Sequence, residues 1–170
     1  MSYLGSLVGY MIMSHVADNY GRKKGEYISW AICIAGQILL LFSFDVTMVG
    51  IGSFFMGFGA NGAITIHYSF FKELALGKTR ERMIVAIQLA FSIGISIISL
   101  LSYLIDTWKY TLGFFIILPS LGAMLFFKFV EETPEFTLKK GVDNFVRSFD
   151  RIAAINKKGK LDPAEVKQEL

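Results

Sequence analysis

Residues 14–26 read SHVADNYGRKKGE, and they interrupt a chain that is almost free of charge on either side of them. Asp18, Arg22, Lys23, Lys24 and Glu26 fall within nine residues. The whole chain of 170 residues is 54% hydrophobic, 15% aromatic and 18% charged, against about 25% charge in a soluble domain. Its apolar residues gather into runs of roughly 18–25 residues, the length a helix needs to cross a bilayer. Placing Arg22, Lys23 and Lys24 at mid-bilayer would cost about 2.5–3.5 kcal/mol each. The cluster is therefore a loop at a membrane face, where Gly21 and Gly25 permit a tight turn. The chain reads as an all-α, polytopic membrane helical bundle.

Working outward from that loop gives five spans, at about 2–16, 27–44, 47–71, 83–105 and 111–130. They are separated by DNYGRKKGE, FDVT, KELALGKTRER and DTWK, and EETPE follows the fifth. At 1.5 Å per residue the second span is about 27 Å long and the fourth about 34 Å, enough for a hydrocarbon core of about 30 Å. The first, at about 22 Å, reads as a helix whose beginning lies outside the sequence. It lacks the positive start and the small-x-small cleavage site of a signal peptide.

Lys and Arg concentrate in the first loop (Arg22, Lys23, Lys24) and in the third (Lys72, Lys78, Arg80, Arg82), while the second has Asp45 and the fourth only Lys109. The positive-inside rule then places loops 17–26 and 72–82 and the C-terminus in the cytoplasm.

The net charge of +3 is too small to suggest nucleic acid. Cys33, the single cysteine, excludes an internal disulfide and reads as a small apolar filler. After residue 130 the character changes. Val142, Phe145, Val146, Phe149, Ile152 and Ala153 recur at helical spacing, with Asp143, Arg147, Asp150 and Arg151 between them. This predicts a cytoplasmic amphipathic helix in a linker region over residues 131–170. Asp162 as N-cap and Pro163 at the first helical position open another.

Candidate site residues lie on two polar strips. Asn61, Thr65 and Tyr68 fall within about 60° on a helical wheel in the third span, and Gln88, Ser92 and Ser99 form a strip in the fourth. Such strips either line an aqueous cavity or hydrogen-bond to neighbouring helices. His67 lies off the Asn61 strip, which points to a packing or interhelical role. Ser53–Gly57 and Gly59–Ala63 are small-xxx-small pairs suited to close packing. No nucleophile–base pair, metal spacing or phosphate loop is present, so no enzyme, metal or cofactor is expected. The glycines of GFGANGA lie inside an apolar span rather than between a strand and a helix. Glu73 and Arg80 read, by themselves, as a solvated loop pair. No carboxylate falls in mid-span, which tilts the expectation toward facilitated diffusion.

These residues resemble the major facilitator superfamily, in its sugar-porter and organic-ion-transporter branch. Asp18-Asn19-Tyr20-Gly21-Arg22-Lys23 is similar to the D-x-x-G-R-[KR] loop between helices 2 and 3. Gly57, Gly59 and Gly62 resemble helix 4, Glu73 with Arg80 the following E-x(6)-R, and Gln88 with Gly94 the glutamine and glycine of helix 5. Asp106-x-Trp108-Lys109 is similar to the D-W-R before helix 6, and Glu132-Thr133-Pro134-Glu135-Phe136-x-Leu138 to the P-E-S-P-R-[WF]-L run after it. Three positions depart from the pattern. Ser14 replaces a glycine, Ser53 an arginine of helix 4, and Glu135 the arginine of the last motif.

The resemblance implies helices 2–6 of the N-terminal half of a twelve-helix transporter for a small organic solute, a sugar or an organic ion. Gln88, Asn61, Thr65, Tyr68 and Ser92 would then contact solute. Asp18, Gly21, Arg22, Lys23, Glu73 and Arg80 would form the cytoplasmic gating motif, with Asp18 latching onto a second half that lies outside the chain. The expected partners are the lipid bilayer, the solute and that second half or another membrane protein, and the expected location is the plasma membrane. Alone, the chain is expected to be inactive. The alternative is a short, non-transporting membrane subunit with a structural or regulatory role.

Overall fold

The computed structural model describes residues 1–74, 77–105, 107–130, 132–139, 141, 143, 146 and 150. Among these the regular structure is helical: α1 (Ser2–Tyr20), α2 (Arg22–Leu41), α3 (Val46–Leu74), α4 (Gly77–Leu104), α5 (Trp108–Tyr110), α6 (Leu118–Phe129) and α7 (Pro134–Lys139). A π-helical stretch over Thr111–Ile117 joins α5 to α6. It ends next to Pro119, which has no N–H for the carbonyl four residues back and whose ring crowds that carbonyl. The wider winding before it accommodates both effects. Two helical segments, Val46–Glu73 and Thr79–Leu104, are long and apolar enough by themselves to cross a membrane, at 28 and 26 residues.

The charged stretch that opens the sequence is more helical than its composition suggests. The chain is helical through Tyr20 and again from Arg22, so the turn falls on Gly21 alone. That residue takes φ 109°, ψ 148°, a region closed to side-chain-bearing residues. Gly25 is helical and serves packing instead: a Cβ there would lie 3.0 Å from that of Ala17. The 72–82 stretch is likewise largely helical, with α3 running to Leu74 and α4 starting at Gly77. Charge obliges a segment to leave the hydrocarbon but not to leave the helical conformation, because intrahelical hydrogen bonds are indifferent to the solvent beyond them. The amphipathic helix expected beyond residue 140 and the one expected from Asp162 lie outside the described residues, apart from Asp143, Val146 and Asp150.

α2 runs opposite to α3 and to the α5–α6 run. Arg22 at the start of α2 bonds Glu73 at the end of α3, and the Lys23 ammonium donates to the Lys128 carbonyl near the end of α6 at 3.0 Å. At the opposite end the Lys109 ammonium donates to the Ser43 carbonyl at 3.2 Å. It also lies 5.7 Å from the centroid of the Phe44 ring.

The centre of the bundle is α3, packed along both α1 and α2. Met13, Ala17 and Ile66 form a buried cluster with Val16, Ile32 and Phe58 around it. The backbones come so close that side chains must be absent. A Cβ on Gly9 would overlap the Phe58 carbonyl, and one on Gly59 would overlap the Cys33 nitrogen. Gly57 meets the Ser2 carbonyl in the same way, and Ala63 is fully buried. On the other side of α2, the Gln37 amide donates to the Ser120 hydroxyl of α6 at 3.2 Å. The fourth helix is the loosest: its residues are largely exposed, and a Cβ on Gly94 would meet nothing within 4 Å.

That contrast yields a test. Gly59→Ala forces a methyl group into backbone atoms and should lower stability by about 1–3 kcal/mol, whereas Gly94→Ala should leave it unchanged. Thermal unfolding of the detergent-solubilised protein, followed by helical circular dichroism, measures both.

Candidate functional site

Two features stand out, a cavity between α1, α3 and α4 and a charge network at one end of the bundle. The cavity has a volume of about 590 Å³. Asn61 and Tyr68 reach it from α3, Gln88 from α4 and Tyr10 from α1, with His67 and Phe91 also on its walls. The one-face spacing of Asn61 and Tyr68 explains why α3 delivers both.

Asn61 is oriented by its neighbours. Its amide nitrogen donates to the Ser6 hydroxyl of α1 at 2.7 Å and to the Gly57 carbonyl at 3.2 Å. The amide hydrogens are thereby engaged, and the oxygen is the polar atom free to meet a ligand. Thr65 and Ser92 take no part in the lining. Each hydroxyl turns back on its own helix, Thr65 to the Asn61 carbonyl at 2.9 Å and Ser92 to the Gln88 carbonyl at 3.0 Å. Such local satisfaction is the common habit of hydroxyls in helices. Ser92 lies with Leu89, Ser96 and Leu100 on another, open face of α4.

Three residues here were not among the site residues expected from the sequence. Tyr10 carries no pattern that would single it out. His67 was assigned an interhelical role, and it has one: its Nδ1 lies 2.9 Å from Glu26 Oε1 on α2. It also lies on the cavity wall. Glu26, counted with the charged loop, is 0% exposed. The signal available in the sequence was the register of Glu26, one turn beyond Arg22 and facing inward with Ser29 and Cys33.

The second feature centres on Arg22. Its Nη1 lies 2.5 Å from Asp18 Oδ1, and its Nη2 and Nε lie 2.8 and 2.9 Å from Glu73 Oε1. The Arg22 and Glu73 side chains are 17% and 11% exposed, and Asp18 is 54% exposed. Asp18 therefore has a partner within this chain, contrary to the expectation that its latch lies wholly in a second half. Burial pulls the Arg22 pKa down, but hydrogen bonding and charge from Glu73, with a further contribution from Asp18, outweigh it and the net shift is upward. The guanidinium stays charged and ties α1, α2 and α3 together. Glu73 is thus bonded to Arg22, and Arg80 is exposed and takes no part in the network. A guanidinium fork presents several donors in fixed directions, which an ammonium does not.

Glu132 completes this end of the bundle. Its Oε1 accepts the Lys23 backbone N–H at 3.1 Å, placing a carboxylate at the N-terminus of α2, where unsatisfied N–H groups and the helix dipole favour it. A side chain on Gly21 would collide with Glu132 Oε2 and the Phe136 ring, each 2.8 Å from an added Cβ.

Arg22→Ala, which strands the largely buried Glu73 carboxylate, should lower stability by about 1–3 kcal/mol. Arg22→Lys should fall between wild type and Arg22→Ala, because one ammonium cannot reproduce the fork. Chemical unfolding in detergent, compared across the three proteins, checks the order.

Residues 1–169 match the family described as Sugar (and other) transporter. The chain is 28% identical over 165 residues to solute carrier family 22 member 1 of Bos taurus, covering 96% of this chain and 29% of that protein. It is 29% identical over 147 residues to H(+)/hexose cotransporter 1 of Parachlorella kessleri, covering 82% and 27%. A probable metabolite transport protein, CsbC of Bacillus subtilis strain 168, is 23% identical over 171 residues, covering 99% and 37%. The chain thus spans between 27% and 37% of these relatives, and the family is one of integral, multi-pass membrane transporters rather than enzymes. With its helical bundle, its glycine-packed α3 and its Asp18–Arg22–Glu73 network, the chain belongs to the sugar (and other) transporter family.

Proposed function

We propose that this chain forms part of a secondary transporter that moves a small organic solute, a sugar or an organic ion, by alternating access. The observation that carries this reading is the cavity, which gathers two carboxamides and two phenols from three helices. Amide and hydroxyl groups exchange hydrogen bonds with a hydroxylated solute without presenting a net charge. The faces of Tyr10, Tyr68 and Phe91 would suit either the apolar side of a sugar ring or an organic cation. Relatives named as a solute carrier, a hexose cotransporter and a metabolite transport protein support the same solute classes.

Transport of this kind needs two bundles rocking about a site near the bilayer midplane. The cavity is bounded here by α1, α3 and α4, so a second bundle would close its open side, and the 170-residue chain alone would not transport. In this reading the loops at 17–26 and 72–82 and the C-terminus face the cytoplasm of a plasma-membrane protein. Arg22, fixed between Asp18 and Glu73, then holds the cytoplasmic ends of α1, α2 and α3 as one rigid unit. Gly21 supplies the turn that makes this possible, and Lys23 joins the unit to the end of α6.

The test is uptake of labelled hexose and of a labelled organic cation into cells expressing the protein at its native length. Gln88→Ala, which removes a cavity amide, should lower uptake efficiency roughly tenfold, a loss of about 1.4 kcal/mol in transition-state stabilisation. Ser92→Ala should remain near wild type. Equal and near-normal uptake in both variants would refute the assignment of Gln88.

A further inference from the structure

Glu26 is a fully buried carboxylate at the start of α2, one helical turn beyond Arg22. Its Oε1 accepts the indole N–H of Trp30 at 2.8 Å and lies 2.9 Å from Nδ1 of His67. Its Oε2 has no hydrogen-bond partner among the described residues. The same His67 Nδ1 lies 3.0 Å from the Ala63 carbonyl. Both neighbours of Nδ1 are acceptors, so Nδ1 carries a hydrogen, and Nε2 is the ring nitrogen at which a proton is gained or lost. The Phe127 ring of α6 meets the imidazole edge-on at a centroid distance of 4.8 Å, and the imidazole lies on the wall of the cavity.

Among the described residues Glu26 has no other ion-pair or hydrogen-bond partner. On α2 and α3, Arg22 and Glu73 are committed to each other, and Asp18 of α1 is committed to Arg22. Glu132 holds the Lys23 backbone, while Lys128 of α6 is exposed. The remaining titratable groups toward the cavity are the phenols of Tyr10 and Tyr68; Gln88 of α4 is neutral. A lone buried carboxylate with an unpaired oxygen is costly, and the arrangement that carries no net charge is the one a buried site favours. For Glu26 and His67 that arrangement contains one proton more than carboxylate with neutral imidazole. The proton sits either on Nε2, as imidazolium facing carboxylate, or on the carboxyl group.

We propose that Glu26 and His67 form a proton-binding site on the cavity wall, so that protonation of the pair and occupancy of the cavity by solute are linked. A proton enters from cavity water onto His67 Nε2, and the pair becomes neutral. Its departure leaves a net negative charge behind the wall, which alters the field felt by a solute between Asn61, Tyr68 and Gln88. The existence of the site stands apart from the transport reading; only its consequence for uptake rests on that reading.

The chain has two histidines, so protein carrying ring-¹⁵N histidine gives two sets of signals, and His15→Gln assigns those of His67. Followed in lipid nanodiscs from about pH 5 to 8, the range in which histidine commonly changes charge, the His67 nitrogen signals should change. The midpoint should move by about one pH unit or more in Glu26→Gln, since a charge at this distance acts that strongly. The carboxyl infrared band of the wild type should change in step with the histidine signal, which decides the matter even where Glu26→Gln does not fold. A wild type in which neither signal changes over that range overturns the proposal, as does a His67 titration that Glu26→Gln leaves unmoved. In uptake assays, whatever transport remains in His67→Gln should be insensitive to pH. A His67 titration without uptake of any hexose or organic cation would support the proton site and count against the transport reading. Uptake with flat His67 and carboxyl signals would do the reverse.

Discussion

The approach of α3 to α1 and α2 through glycine sets the positions of everything else in this bundle. Among transmembrane helices lipid is as apolar as leucine, so association rests on close packing and interhelical hydrogen bonds rather than on expulsion of water. Gly9 against Phe58 and Gly59 against Cys33 bring backbones to distances that no side chain would allow. At that spacing short polar side chains can bridge the helices, as the Asn61 amide does to the Ser6 hydroxyl at 2.7 Å. Asn61 lies one turn beyond Gly57, so the contact that seats α1 on α3 also orients a cavity residue. Stability and site geometry here share one physical origin.

The charged end of the bundle works on a different principle. Arg22 bonds two carboxylates that differ greatly in exposure, and the more buried one, Glu73, receives both the Nη2 and Nε donors. Glu132 reaches the N-terminus of α2 beside a glycine that can hold no side chain. Because these contacts join α1, α2, α3 and the segment after α6, the ends of four elements are linked where the chain carries most of its charge. Farther in, Glu26 and His67 repeat the pairing without any exit to solvent for the carboxylate. Glu26 lies outside the five apolar spans read from the sequence, at the start of α2, and is nonetheless fully buried. Glu26 follows four charged residues in the chain, yet Ser29, Cys33 and Trp30 on the same helix turn inward with it.

The all-helical membrane architecture, the reversal at Gly21 and the family are legible in the residues themselves. Long apolar runs can satisfy backbone hydrogen bonds in lipid as helices, and a residue that must take positive φ is written as glycine. The spacing of Asn61 and Tyr68 showed that one helical face carries both, because helical periodicity depends on nothing outside the helix. What periodicity could not supply was the identity of the facing element. Thr65 satisfies the same periodicity and turns away from the cavity; Tyr10 satisfies none and lines it. Glu73 looked in sequence like the partner of Arg80, seven residues on, and found Arg22, 51 residues back, instead. The pairing of Glu26 with His67 spans α2 and α3 and depends on Gly59 and its neighbours drawing those helices together. Local pattern determines which groups a helix presents, because it is set by bonds within the helix. Which groups meet is decided by close packing between helices, and that is a property of the assembled bundle.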